Sequence, residues 1–323
     1  MEAEERRAEE EEEAREFAKY PVINPLNYIK NKEIRHKVFR KEQGLKKRDD
    51  KKERKIRKNQ PGVRSKGHTI ESLREKDQTI VTSLDDSENE ETAKELELDD
   101  YSEYYNKSYE PKVLITYSDN PHSKTRGFGK ELSLIIPNSI ALTRHRCSVK
   151  KICESSIREG YSDVIIINES KNGKKIDGLL LIHLPGGPTA HFKVSNVKLT
   201  KDIRRKLSDF TSHRPEVVLT NFSTRLGVQI GRILGAIFHY DPQFRGRRAV
   251  TLHNQRDYIF FRHHRYEFDK NGKRVKLMEL GPRFTIKLQS LQQGLFDSKT
   301  GDYEWIITNK RHQLEGTRRR FHL

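Results

Sequence analysis

Catalysis would require a small set of reactive side chains at workable spacings, and few are present. Ser123-Lys124-Thr125 lacks the glycine loop that cradles a phosphate. Gly127-Phe128-Gly129 lacks the third glycine and the flanking strand of a dinucleotide fingerprint. His263 and His264 are adjacent, so on a strand their rings point to opposite faces and cannot share a metal. Cys147 and Cys153 have no CxxC and no histidine pair around them, which argues against a disulfide framework or zinc site and favours a reducing compartment. Neither clustered carboxylates for a metal nor a nucleophile beside a base is legible. The expectation is a protein with no cofactor, no metal and no catalytic residue.

The chemistry that remains is polyanion binding. Lys and Arg number 64 against 47 Asp and Glu in 323 residues, a formal charge of +17. Residues 1–29 carry 4 basic and 9 acidic side chains (4 − 9 = −5), 30–66 carry 17 and 5 (+12), and 67–110 carry 4 and 14 (−10). The rest, 111–323, carries 39 and 19 (+20), so the excess lies where the chain is expected to fold. Candidate phosphate contacts recur there: Arg144, Arg146, Lys150, Lys151, Arg204, Arg205, Arg245, Arg247, Arg248, and Arg318, Arg319 and Arg320 near the end. A denser basic arm, with Lys46, Lys47, Arg48, Lys51, Lys52, Arg54, Lys55, Arg57 and Lys58, suits nuclear import or an RNA-contacting arm. The run Tyr258 to Phe268 reads as a strand that sets Tyr258, Phe260, Arg262, His264 and Tyr266 on one face, with Arg265 between. Such a face can stack on bases and meet phosphates, or else Phe260 belongs to the core and the others line a polar surface.

The elements that must position these groups follow from periodicity. Residues 1–29 read as an acidic helix or as disordered, 30–66 as the basic arm, 67–110 as an acidic linker and 311–323 as a basic tail. Between them, short β-rich runs alternate with helical patterns, an α/β texture. Strands are expected at 112–116, 139–143, 163–168, 178–184 and 190–197, and helices at 123–135 and 148–159. Val113-Leu114-Ile115-Thr116 is echoed by Val217-Val218-Leu219-Thr220, and Gly187-Pro188 before one strand is echoed by Gly281-Pro282 before another. Two related halves, about 111–210 and 211–310, are suggested. Leu226, Ile230, Ile233, Leu234 and Ile237 form one helical face capped at Thr224, and a hairpin turns at Asp269 to Gly272. No apolar run approaches the roughly 18 residues of a membrane span.

Several of these motifs together resemble the Brix family of ribosome-assembly proteins. They are Thr116 with Pro121, Lys130-Glu131-Leu132, Ile136-Pro137-Asn138, Leu184-Pro185-Gly186-Gly187-Pro188-Thr189-Ala190-His191-Phe192, Asn221-Phe222 with Leu226-Gly227, and Gly281-Pro282-Arg283-Phe284-Thr285-Ile286-Lys287-Leu288. The resemblance covers about residues 111–310. It implies two similar halves, each a mixed β-sheet with packed helices akin to the anticodon-binding domain of class II aminoacyl-tRNA synthetases. It also implies a nucleolar, non-enzymatic factor that binds pre-ribosomal RNA of the large subunit, together with other assembly factors and ribosomal proteins. By the same resemblance Arg283 and Lys287 become RNA-contact candidates, while Gly187, Pro188, Gly281 and Pro282 are structural. The competing readings are an RNA-processing enzyme and a protein-binding adaptor whose charge is incidental.

Overall fold

The computed structural model describes residues 28–59, 67–75, 79–81, 94, 98–170, 175–203, 210–269, 271, 274–298, 300–307 and 320–323, without the side chains of 56–59. The acidic start, expected at 1–29, therefore lies almost wholly outside the described residues. The chain divides into two compact units, 1–67 and 68–323.

The first unit contains one long helix, α1 (Lys32–Asn59), of 28 residues and so about 42 Å. Asn31 starts it by accepting from the Glu33 and Ile34 amides at 2.9 and 3.3 Å, two donors that a helix's first turn leaves unpaired. The basic arm is thus helical. Lys46, Lys47, Arg48, Lys51, Lys52, Arg54 and Lys55 are all exposed on it, and the Arg57 and Lys58 side chains lie outside the described residues.

The second unit is built on a single sheet. It begins with a short helix, α2 (Ser102–Tyr105), and continues β1 (Val113–Tyr117), α3 (Ser123–Ile135), β2 (Ser139–Ala141), α4 (Val149–Arg158), β3 (Asp163–Glu169), β4 (Ile176–His183), β5 (Thr189–Lys198) and α5 (Thr200–Ile203). Next come β6 (Glu216–Thr220), α6 (Arg225–Ala236), β7 (Arg248–Gln255), β8 (Tyr258–Phe268), β9 (Val275–Glu279), β10 (Arg283–Gln292) and β11 (Tyr303–Ile306). Strand order is β2-β1-β3-β4-β5-β10-β8-β7-β6, with β9 on β8 and β11 on β10.

The two halves repeat one wiring. β1 runs parallel to β3, which is antiparallel to β4, itself antiparallel to β5. β6 runs parallel to β7, which is antiparallel to β8, itself antiparallel to β10. Each half is the expected mixed sheet, and the two join. β5 and β10 pair antiparallel over most of their length and fuse the halves into one sheet. Both strands open on a Gly-Pro pair joined by a cis bond, with Gly187 at φ +106 and Gly281 at φ +84. A Cβ on Gly187 would stand 2.4 Å from the Gly294 backbone, so the position admits no side chain.

One face of the sheet is covered along its central strands. Phe128, Leu132 and Ile135 of α3 and Ile230, Ile233 and Leu234 of α6 bury Ile115, Ile165, Phe192, Val250, Phe261 and Ile286. Thr224 caps α6 as expected, its hydroxyl accepting from the Gly227 amide at 2.9 Å. On the other face α4 lays Ile152 and Cys153 over Leu114, Val164, Ile166, Leu180 and Ile182 of the first half.

Two flanking stretches do more than link. Within 67–110, Tyr101 and Tyr104 are buried in the core, and the Tyr104 hydroxyl donates to the Phe238 carbonyl at 2.8 Å. Asp99 pairs with Arg232 of α6 at 3.2 Å, and Ile80 bridges to Thr224. At the far end, Asp257 accepts from the amides of His322 and Leu323 at 2.7 and 2.9 Å, and Leu323 is buried. Pieces of the expected linker and of the expected basic tail thus belong to the folded unit, because they carry the apolar groups that close its edges.

Candidate nucleic-acid interface

The second half has no counterpart of α4 among the described residues. Its outward face therefore carries side chains that are neither packed under a helix nor uniformly polar. Strand alternation places Tyr258, Phe260, Arg262, His264 and Tyr266 of β8 there, while Ile259, Phe261 and His263 point into the core. Phe260 is half-buried and outward, so the core aromatic is its neighbour Phe261. On β10 the same alternation sends Arg283 and Lys287 outward and Phe284, Ile286 and Leu288 inward; Thr285, between the two cations, is on the outward phase but buried beneath its neighbours.

Register brings these residues into rows. Phe260 lies opposite His253 of β7 and Thr285 of β10. Lys287 lies opposite Lys193 of β5, and its Nζ stands 4.9 Å from the Tyr258 ring centre. The Arg262 guanidinium stands 5.8 Å from the Phe260 ring centre. Arg283 pairs with Glu279 at 2.8 Å. The Lys193–Lys287 register sets two like charges directly opposite on neighbouring strands, an arrangement that by itself disfavours pairing. Burial, with Arg283 adding to it, holds the Arg262 guanidinium below its usual range. Burial likewise lowers the His264 pKa; Glu279 opposes that, while Arg262 and Arg283 reinforce it.

The remaining candidates fall into several places. Arg245 and Arg247 are exposed in the turn that leads into β7, beside exposed Phe244. Lys150 and Lys151 are exposed on α4, hence on the same side of the sheet as the open face. Arg146 is exposed, whereas Arg144 is held to Asp119 at 3.1 Å. Arg320 pairs with Glu75 at 2.6 Å. Arg204, Arg205, Arg318 and Arg319 lie outside the described residues.

One expected contact is corrected, and a second candidate lies off this face. Arg248 opens β7 on the inward phase and is only 2% exposed. Its guanidinium donates to the carbonyls of Thr211, His213 and Leu134 and to His263 Nε2. Arg265 lies directly opposite it, also off the open face, with Nε and one Nη buried. Neither forms part of the open face. Sequence reasoning missed Lys193, although the alternation of His191, Lys193 and Ser195 along β5 carried the signal.

His263 is the inward neighbour of His264, as the strand phase required. It is fully buried, donates from Nδ1 to the Gly281 carbonyl at 2.8 Å and accepts the Arg248 Nε–H at Nε2. Burial is the main cause that pushes its pKa down to about 3, against the Gly281 hydrogen bond and with help from Arg248. A histidine titrates near 6.5 when unfolded, so folding favours the neutral form. Stability is therefore complete above about pH 6.5 and falls by up to about 1.4 kcal/mol per pH unit below it. From pH 7.5 to 5.0 this one group is expected to remove about 2 kcal/mol. Urea unfolding of His263→Gln should show that much less loss over the same interval, and parallel losses in both proteins would contradict the assignment.

Comparison with known proteins gives the class. Residues 118–290 match the Brix domain model, and the chain belongs to the Brix family. Within that family it is similar to proteins named ribosome production factor 1. It is 63% identical over 301 residues to "Probable ribosome production factor 1" of Drosophila melanogaster, covering 93% of this chain and 76% of that one. It is 46% identical over 313 residues to "Ribosome production factor 1" of Pongo abelii, covering 95% and 87%. Among solved structures, a probable ribosomal biogenesis protein from Aeropyrum pernix K1 aligns with 61% of this chain and 99% of its own, at 15% identity and a TM-score of 0.43.

Proposed function

We propose that this chain is a non-enzymatic assembly factor of the large ribosomal subunit that binds pre-ribosomal RNA in the nucleolus. The observation that carries the reading is the open basic face of the second half, where Lys193, Arg262, Arg283 and Lys287 gather across three strands. Clustered cations gain affinity for a nucleic acid by neutralising phosphates and releasing counterions. The relatives' name, ribosome production factor 1, supplies the context in which that RNA is ribosomal. Exposed lysines and arginines along α1 add a second cationic element suited to RNA or to nuclear import. Other assembly factors and ribosomal proteins are the expected neighbours in such a particle. Tagged full-length protein is expected to sediment with precursors of the large subunit; sedimentation only with small-subunit precursors, or with neither, would refute the reading.

A further inference from the structure

The halves share a wiring, so what differs between them is informative. Leu114 of β1 corresponds to Val218 of β6 in the repeated Val-Leu-Ile-Thr and Val-Val-Leu-Thr runs. Leu114 is 8% exposed beneath α4, whereas Val218 is 39% exposed. Further along the face, the first half presents Val164, Ile166, Leu180 and Ile182 to α4. At the matching places the second half has Thr251, His253, Phe260 and Arg262, all half-buried with no helix over them among the described residues. A surface that is core in one half is aromatic and cationic in the other.

The arrangement along β8 has direction. Tyr258, Phe260 and Tyr266 stand on one face of one strand, where alternate side chains are about 6.8 Å apart. Past Tyr266, whose amide donates to the Arg247 carbonyl at 2.9 Å, the turn before β7 exposes Phe244, 65% accessible with no core role. Lys287 and Arg283 on β10, and Lys193 on β5, lie to one side of this aromatic row. The face thus has a platform of rings on β8 and a rail of cations beside it.

In a duplex the bases are stacked inside and only phosphates and sugars reach a flat protein surface, so rings on that surface gain nothing from it. Unpaired bases can stack on such rings, each worth a sizeable part of the affinity, while the backbone follows the cations. We infer that the open face is a track for an unpaired RNA segment of about four or five nucleotides. Its bases lie on Tyr258, Phe260 and Tyr266, and its phosphates lie along Lys287, Lys193 and Arg283. The inference rests on the RNA-binding reading above and adds the substrate class.

The test uses full-length protein with two fluorescent probes of matched composition, an unpaired 10-nucleotide RNA and a closed RNA hairpin. The variant is Tyr258→Leu with Phe260→Leu, which keeps apolar bulk at one exposed and one half-buried position, and its thermal unfolding is compared with that of the parent. Affinity for the unpaired probe is expected to fall by about 10- to 100-fold with hairpin binding little changed. Photocrosslinking of the parent protein to the unpaired probe should label the peptide bearing Tyr258 and Phe260. An equal loss for both probes, no loss for either, or crosslinks confined to other peptides would overturn the track while leaving RNA binding standing. A parent protein that binds neither probe would overturn both.

Discussion

Glutamate at Lys193, Arg262 and Lys287 together is expected to weaken the binding of unpaired RNA by about 100-fold at physiological salt. The slope of log affinity against log salt should fall by about 2, because each phosphate contact on a single strand contributes about 0.7. Three features make the expectation specific. The residues occupy three adjacent strands of one face, they stand beside the aromatic row, and Lys193 and Lys287 already oppose each other as like charges. Reversing that pair keeps a like-charge pair in place, so folding is not expected to suffer from a new kind of repulsion. Binding measured across a salt series, with unfolding measured on the same sample, separates the two effects. Unchanged affinity in a folded triple variant would move the RNA surface elsewhere.

The second large effect concerns stability and not binding. Arg248→Met is expected to cost about 3–5 kcal/mol, the scale seen when one side of a buried charged network is removed. Burial, reinforced by Arg265, lowers the guanidinium pKa to about 10, so the group remains charged at neutral pH. No carboxylate partners it among the described residues; carbonyl oxygens of Leu134, Thr211 and His213 take its donors instead. Leu134 belongs to α3 of the first half, and Thr211 and His213 to the segment that leads into β6, so this side chain ties the halves together, and through His263 it reaches the Gly281 turn that opens β10. Methionine would fill the volume and orphan three carbonyls. Urea unfolding should show the loss, and the fraction that stays folded should bind RNA within about threefold of the parent. A variant of normal stability with lost RNA binding would restore Arg248 to the interface and contradict its structural role.

The contrast between Arg248 and its neighbours shows what the sequence makes legible. Arg245, Arg247 and Arg248 form one cluster by composition, yet two are exposed and one is core. The distinction was available in the phase Arg248, Val250, Leu252, which continues inward along β7. Phase was equally decisive on β8, where alternation alone separated Phe260 and His264 from Phe261 and His263. The helices at 123–135 and 148–159 and the Gly-Pro openings of β5 and β10 were likewise readable, since local propensity, caps and turn chemistry act over a few residues. The seam between β5 and β10 was not, because it pairs residues about 90 positions apart and neither strand names its partner. Nor was the docking of Tyr101 and Tyr104, whose acidic surroundings suggested linker; four tyrosines between 101 and 109 were the only hint that the stretch had apolar surface to bury. The open face followed from the lack, among the described residues, of a second-half counterpart to α4, which no motif announces.

The central claim is that RNA lies on the open face of the second half. Crosslinking in growing cells, read at nucleotide resolution on the RNA and at peptide resolution on the protein, tests it most directly. The expected result is crosslinks to unpaired segments of large-subunit precursor RNA through peptides that carry Tyr258, Phe260 or Lys287. Crosslinks to duplex segments alone, to small-subunit precursors, or solely through peptides outside the open face would contradict the account.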